Sequence, residues 1–137
     1  MVHLIKLAVG VRDLGHLRDI QAARAAAAPL RHLTRSFPRR AEEIVSAGSI
    51  HWVVAGLLLA RQRVVDIVAT QREDGTPCTA LMLDPVLVAV APRPVRAFQG
   101  WRYLEADAAP ADLDARAEGG EEMPPRLRAE LMVLGLL

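Results

Sequence analysis

The hydrophobic residues of this chain fall into blocks whose spacing changes along its length, and each change predicts an element. Val2 to Val11 is a short apolar run bounded by Gly10 and the charged pair Arg12-Asp13. With Lys6 as its one charged position, it reads as a buried strand. Asp13 is placed to cap a helix in which Leu14, Leu17 and Ile20 recur near helical spacing. That helix runs into Ala22 to Ala28, the strongest intrinsic helix formers, and Pro29 closes it. Leu30 to Ser36 alternates and reads as a short strand or an extended connector. Ser36 is the expected cap of a second helix, with Pro38 in its first turn and Gly48 at its stop.

Two arginines are misplaced in that second helix. Arg39 and Arg40 fall in its first turn, where each exposed cation opposes the helix dipole by roughly 0.3 to 1 kcal/mol. Two explanations stand. Glu42 and Glu43 lie three and four residues beyond Arg39 and offset it, or the paired arginines and the free helix-end amides form an anion site.

Gly48 to Ala60 belongs to the longest uncharged run, which breaks abruptly into Arg61-Gln62-Arg63. Its β-branched residues and tryptophan predict strand, bend, strand, with Gly56 at the bend and the second arm continuing to Arg72. Asp74-Gly75 supplies the positive φ angles of a tight hairpin turn, so a strand from Cys78 to Leu83 is expected to return antiparallel. Asp84-Pro85 is expected to break that strand. Val86 to Ala91 forms another apolar run, and Pro92 and Pro94 extend the chain into a final aromatic segment, Val95 to Tyr103. Residues 105–123 read as a loop-rich acidic segment, and Pro124-Pro125 opens a last helix with Leu127, Leu131 and Leu134 on one face. The whole predicts one α+β domain over residues 1–137: a small mixed or antiparallel, barrel-like sheet covered by two or three helices.

Composition adjusts this picture in three places. With 52% apolar residues but five aromatics in 137, the core must be built mainly from Leu, Val and Ala. Of 17 basic residues all but Lys6 are arginine, which fits either a compositional bias or recognition of phosphate by planar guanidinium groups. The net charge of +1 is uneven: residues 31–104 sum to +4 and residues 105–137 to −5. A single cysteine, Cys78, excludes an intrachain disulfide. The apolar run Trp52 to Ala60 is far below the roughly 20 residues a membrane helix needs, and no export signal is evident. The expectation is a cytoplasmic protein without membrane contact. Its oligomeric state is left open.

Catalytic signatures are missing. The sequence has no GxSxG, GxGxxG, Walker or CxxC motif, and His3, His16, His32 and His51 lack ligand spacing, so neither a metal nor a cofactor is implied. What recurs is arginine and glutamine beside aromatics: Arg61, Gln62 and Arg63, then Arg96, Gln99, Trp101 and Arg102, with Trp52 and the pair Arg39 and Arg40 as further candidates. Arg and Gln donate to phosphates and base edges, and aromatic faces stack bases, so these residues would suit RNA or a nucleotide. Two other readings remain open: a small enzyme using Lys6, Thr34 and Glu43, and an assembly domain using the final helix.

His3-Leu4-Ile5-Lys6-Leu7, Pro38-Arg39-Arg40-Ala41-Glu42-Glu43, Trp52-Val53, Ala60-Arg61-Gln62-Arg63, Leu83-Asp84-Pro85 and Phe98-Gln99-Gly100-Trp101-Arg102-Tyr103-Leu104 together resemble a bacterial family, domain of unknown function 1489, typical of alphaproteobacteria. That resemblance is nearly full length and implies no activity. The element order is also similar to that of small PUA-like barrels of the ASCH and EVE types. This likeness implies binding of RNA or modified bases, with hydrolysis of modified nucleosides as an alternative.

Overall fold

The computed structural model of the protein describes residues 1–113. Its strands are β1 (Val2–Leu7), β2 (Arg31–Thr34), β3 (Ser49–Val54), β4 (Leu57–Gln71), β5 (Pro77–Pro94) and β6 (Trp101–Glu105). Its helices are α1 (Leu14–Ala27) and α2 (Ala41–Ala47), and a short 3-10 turn follows at Ala106–Ala108. The fold is mixed α+β. Six strands form one sheet in the order β2-β5-β4-β3-β1-β6, parallel only between β1 and β3. The ladder does not close into a barrel, because β2 and β6 are both edges. A side chain links the two edges instead: Trp101 Nε1 on β6 donates to the carbonyl of Ser36, just past β2, at 3.2 Å.

The first helix forms where its sequence signals place it. Asp13 accepts from the His16 N–H at 2.8 Å, and the last turn ends with the Ala28 N–H on the Arg24 carbonyl, one residue before Pro29. The second helix starts later than expected. Arg40, not Ser36, is its N-cap residue, so Arg39 and Arg40 precede the helix, and its first turn carries Glu42 and Glu43. The conflict with the helix dipole disappears, since the first turn holds the anions that the dipole favours. Arg40, rather than Arg39, then reaches Glu43 at 2.8 Å, and it also reaches Glu105 at 2.7 Å.

The bend at Gly56 is a two-residue hairpin turn. Ala55 (φ 50°) and Gly56 (φ 84°) both take left-handed conformations, the pattern that matches the twist of paired strands. The Asp74-Gly75 turn also forms, with Gly75 at φ 87° and the Arg72 N–H on the Thr76 carbonyl at 2.9 Å. Asp84-Pro85, however, does not end the returning strand. β5 runs for 18 residues because the ladder bulges there: Asp84, Pro85 and Val86 stand opposite Arg63 alone, and the Asp84 carboxylate accepts the Val86 N–H at 2.9 Å. A bulge removes the ladder bond that proline cannot make, so proline is tolerated inside a strand.

Alternation along the strands divides the core in two. On one face Leu4, Ile50, Trp52, Val64 and Leu81 pack with Leu17 of α1 and Ile44 of α2. The other face holds Ile5, Val53, Leu58 and Val90, with Phe98 and Leu104 against them. At the junction of α2 and β3, a Cβ on Gly48 would lie 2.2 Å from the Val2 carbonyl oxygen, so only glycine lets the helix dock beneath β1. No helix among the described residues is long and apolar enough to cross a membrane. The expected last helix, from Pro124, lies outside the described residues.

Candidate functional site

The sheet separates residues that lie side by side in the sequence. β6 pairs with β1 so that Trp101 faces out beside Lys6, and Tyr103 beside Leu4, while Arg102 stands beside Ile5 on the opposite face. β4 pairs with β3 so that Gln62 shares the face of Ile50, whereas Arg61 and Arg63 share the opposite face with His51 and Ser49. The arginine and aromatic candidates therefore do not make one surface. They occupy two, with different surroundings.

On the face of Arg61 and Arg63 the cations are bound internally. Arg61 makes a bidentate pair with Asp112 at 2.7 Å for both contacts, and a third nitrogen donates to Ser49 Oγ at 3.0 Å. This bonding raises the pKa of Arg61 and lowers that of Asp112. Neither Asp66 nor Asp84 takes part. Arg63 donates to the main-chain carbonyls of Gly48, Val64 and Val45, tying α2 to β4. Arg102 stacks over the Phe98 ring at 4.5 Å, and Arg96 is exposed.

Beneath Arg61 lies a histidine pair that sequence spacing does not reveal, because its members come from different strands. His3 and His51 meet edge to face at 4.7 Å, and His3 Nδ1 accepts the Ser49 N–H at 3.0 Å. His51 is fully buried, and neither of its ring nitrogens has a hydrogen-bond partner. Burial first, and the adjoining His3 second, hold its pKa at about 4, so the ring is neutral. Among the described residues, no group of His, Cys, Asp and Glu is arranged to hold a metal ion.

Gln62 and Trp52 are core residues on the helix side. Gln62 is fully buried and exchanges two hydrogen bonds with Gln21 of α1, at 2.9 and 2.7 Å. Its amide also accepts from Trp52 Nε1 at 3.0 Å and donates to the Asp84 carbonyl at 2.9 Å. Every polar atom of that amide is used inside the protein, as buried polar groups require.

The opposite arrangement occurs at the seam between the two sheet edges. There an open cavity of about 850 Å³ is walled by the segment following β2, by the end of β4 and by β6. Its wall carries Lys6, Arg35, Arg39 and Arg72 and, among the described residues, no carboxylate. None of these four takes part in any salt bridge among the described residues. Aromatic surface lies beside the cations in Phe37, which is half exposed, and in the edge-to-face pair Trp101 and Tyr103 at 5.0 Å. Of the nearby carboxylates, Glu43 and Glu105 are both taken by Arg40, which also stacks on Tyr103 at 5.3 Å, while Glu73 and Asp74 lie beside Arg72 outside the wall. Arg40 thus acts as a buttress behind the wall. Lys6 sits partly buried at the base, and the lost hydration lowers its pKa from the ordinary lysine value.

Of the residues singled out from the sequence, the cavity gathers Arg39, Gln99 and Trp101. It also holds Lys6 and Thr34, singled out for the enzyme reading, and adds Arg35, Phe37 and Arg72. Arg35 and Arg39 belong to a stretch whose basic density is visible in the sequence. Arg72 was hidden, since nothing local connects the end of β4 to a segment more than thirty residues earlier.

An open mixed sheet with its edges drawn together around a basic, aromatic cleft defines a small α+β domain. The chain belongs to the family described as "Protein of unknown function (DUF1489)", whose profile matches residues 4–137. Neither the curated proteins nor the solved structures contain a significant match to it.

Proposed function

We propose that this protein is a PUA-like module that binds single-stranded RNA or a modified nucleotide in the seam between β2 and β6. One observation carries the reading: four cations line a single concavity whose wall, among the described residues, contains no carboxylate. Elsewhere the protein neutralises its clustered arginines, Arg40 with two glutamates and Arg61 with Asp112. Gathering like charges without a counter-ion costs stability unless an anion arrives to share them. Three of the four cations are arginine, the side chain that grips phosphate in a planar fork. Phe37 and Trp101 place ring surface next to that charge, where a base can stack.

A small amidohydrolase is the second reading, and one observation favours it: Lys6 and Thr34 line the same cleft. Its third member is committed elsewhere, since Glu43 is held by Arg40 through two hydrogen bonds of 2.8 Å. Binding is therefore the better-supported reading.

The direct test is fluorescence titration of a labelled single-stranded RNA across a series of salt concentrations. Engagement of three or four phosphates gives a log–log slope of about −2 to −3, at roughly −0.7 per contact. Absence of binding to RNA and to nucleotides at low salt rejects the reading.

A further inference from the structure

A second, smaller cavity of about 200 Å³ lies on the other side of Lys6, between α1, the turn after β1 and the start of β2. Lys6 is the one residue common to both walls, so its side chain stands where the two spaces meet. The characters of the two cavities differ. The larger is open and basic; the smaller is lined mainly by apolar side chains, among them Ala8, Leu17, Ile20 and Trp52. His32 also lines it, held edge to face against the Trp52 indole at 5.2 Å. Its Nε2 is buried and has no hydrogen-bond partner. The other interior polar groups nearby are satisfied, because Gln21, Gln62 and Trp52 bond to one another. Lys6, Gln21, Arg24 and Arg31 also line the cavity, but one orphaned buried polar atom in a mainly apolar wall is the pattern of a site that fixes a ring by shape and orients it by a polar contact.

We infer that the smaller cavity is the base subsite of the same ligand, taking one unstacked nucleobase whose phosphate lies among Arg35, Arg39 and Arg72. This rests on reading the larger cavity as the phosphate site. In this arrangement the Lys6 ammonium, which can only donate, meets an acceptor on the base or the adjoining phosphate, and His32 supplies the second contact. Burial, with Lys6 as the next cause, lowers the His32 pKa to about 4, so the ring enters as a neutral group able to accept or donate. A base must leave its neighbours to enter so small a space, so duplex RNA is excluded and a nucleotide or single strand is selected.

The test compares uridine 5′-monophosphate, ribose 5-phosphate and inorganic phosphate by isothermal titration, with NMR observation of the His32 ring. The nucleotide is expected to bind roughly tenfold more tightly than ribose 5-phosphate, the scale of one or two hydrogen bonds with ring burial. It is also expected to shift the His32 resonances, which ribose 5-phosphate leaves in place. His32→Phe keeps the ring and its contact with Trp52, and should reduce nucleotide affinity to that of ribose 5-phosphate. Ala8→Phe, which fills the cavity from another wall, should do the same if His32→Phe folds poorly. Equal binding of nucleotide and ribose 5-phosphate, with His32 unmoved, overturns the base subsite and leaves the phosphate site standing. Failure of all three phosphates to bind overturns both.

Discussion

Arg61 and Arg63 on one face of the sheet, and Arg35, Arg39 and Arg72 at the seam on the other, are the same side chain in opposite circumstances. The first two have every main partner supplied by the fold: a carboxylate, a serine hydroxyl and three carbonyls. The other three surround a cavity whose wall, among the described residues, holds no counter-ion. Arginine content therefore says little about function until each guanidinium is assigned a partner. Those with internal partners hold the sheet and helix together, and those without are available to a ligand.

The comparison breaks most directly by exchanging the two sets. Removing the seam cations together, Arg35→Ala with Arg39→Ala and Arg72→Ala, should weaken RNA binding by about a hundredfold or more while leaving the melting temperature nearly unchanged. Arg61→Ala with Arg63→Ala should do the reverse, keeping affinity within about twofold and lowering stability. Gel-shift titration and thermal melting of both variants decide this, and loss of binding only in the second returns the site to the Arg61 face.

Stability at the polar centre of the helix-side core is a sharper contrast still, because Gln62 sits between Arg61 and Arg63 and is wholly internal. Gln62→Leu should cost about 2 to 3 kcal/mol by urea denaturation, since it strands Gln21, the Trp52 N–H and the Asp84 carbonyl at once. Adding Gln21→Leu should restore part of the loss, as it removes one of the stranded groups.

The two histidines whose pKa values fall furthest give the next largest effect. His51 and His32 stay neutral in the folded protein down to about pH 4, against an ordinary value of 6.5, with burial as the main cause. Between those values the unfolded chain binds more protons than the folded one, so stability is complete above about pH 6.5 and declines as pH falls toward 4. For His51, which is fully buried, the loss is of the order of 2 kcal/mol. Urea midpoints measured across that interval should slope accordingly, and His51→Leu should flatten the slope. Asp112, Glu43 and Glu105 have lowered pKa values through their arginine partners, so their contributions are lost only at still lower pH.

The smallest effect belongs to the exposed pair. Arg61→Ala alone should cost under about 1 kcal/mol, the usual worth of a partly solvated ion pair, and raising the salt concentration should narrow the difference from the parent. A larger loss would mean that Arg61 also supports the buried Ser49, His3 and His51 beneath it.

Local signals hold wherever local chemistry sets the conformation. Asp13 caps the first helix and Pro29 bounds it, and Asp74-Gly75 makes its turn. Local preference yields where the surrounding fold overrides it. Asp84-Pro85 does not interrupt β5, because a bulge against β4 absorbs the proline, and α2 begins after Arg40 rather than at Ser36. The site was half legible. A basic stretch around Arg35 and Arg39 and an aromatic one around Trp101 stand out in one dimension, yet nothing there says that they meet, or that Arg72 joins them.

The sequence by itself determined that this is one arginine-rich chain with strand, helix and hairpin signals in a definite order, and it supplied the residue types of the proposed site. Only the tertiary structure decided which of them serve. Strand alternation sends neighbours such as Gln62 and Arg63, or Trp101 and Arg102, to opposite faces, and sheet pairing determines which carboxylates are close enough to neutralise an arginine. Pairing across a sheet depends on contacts far apart in the chain, which is why composition left those arginines equivalent and the fold did not.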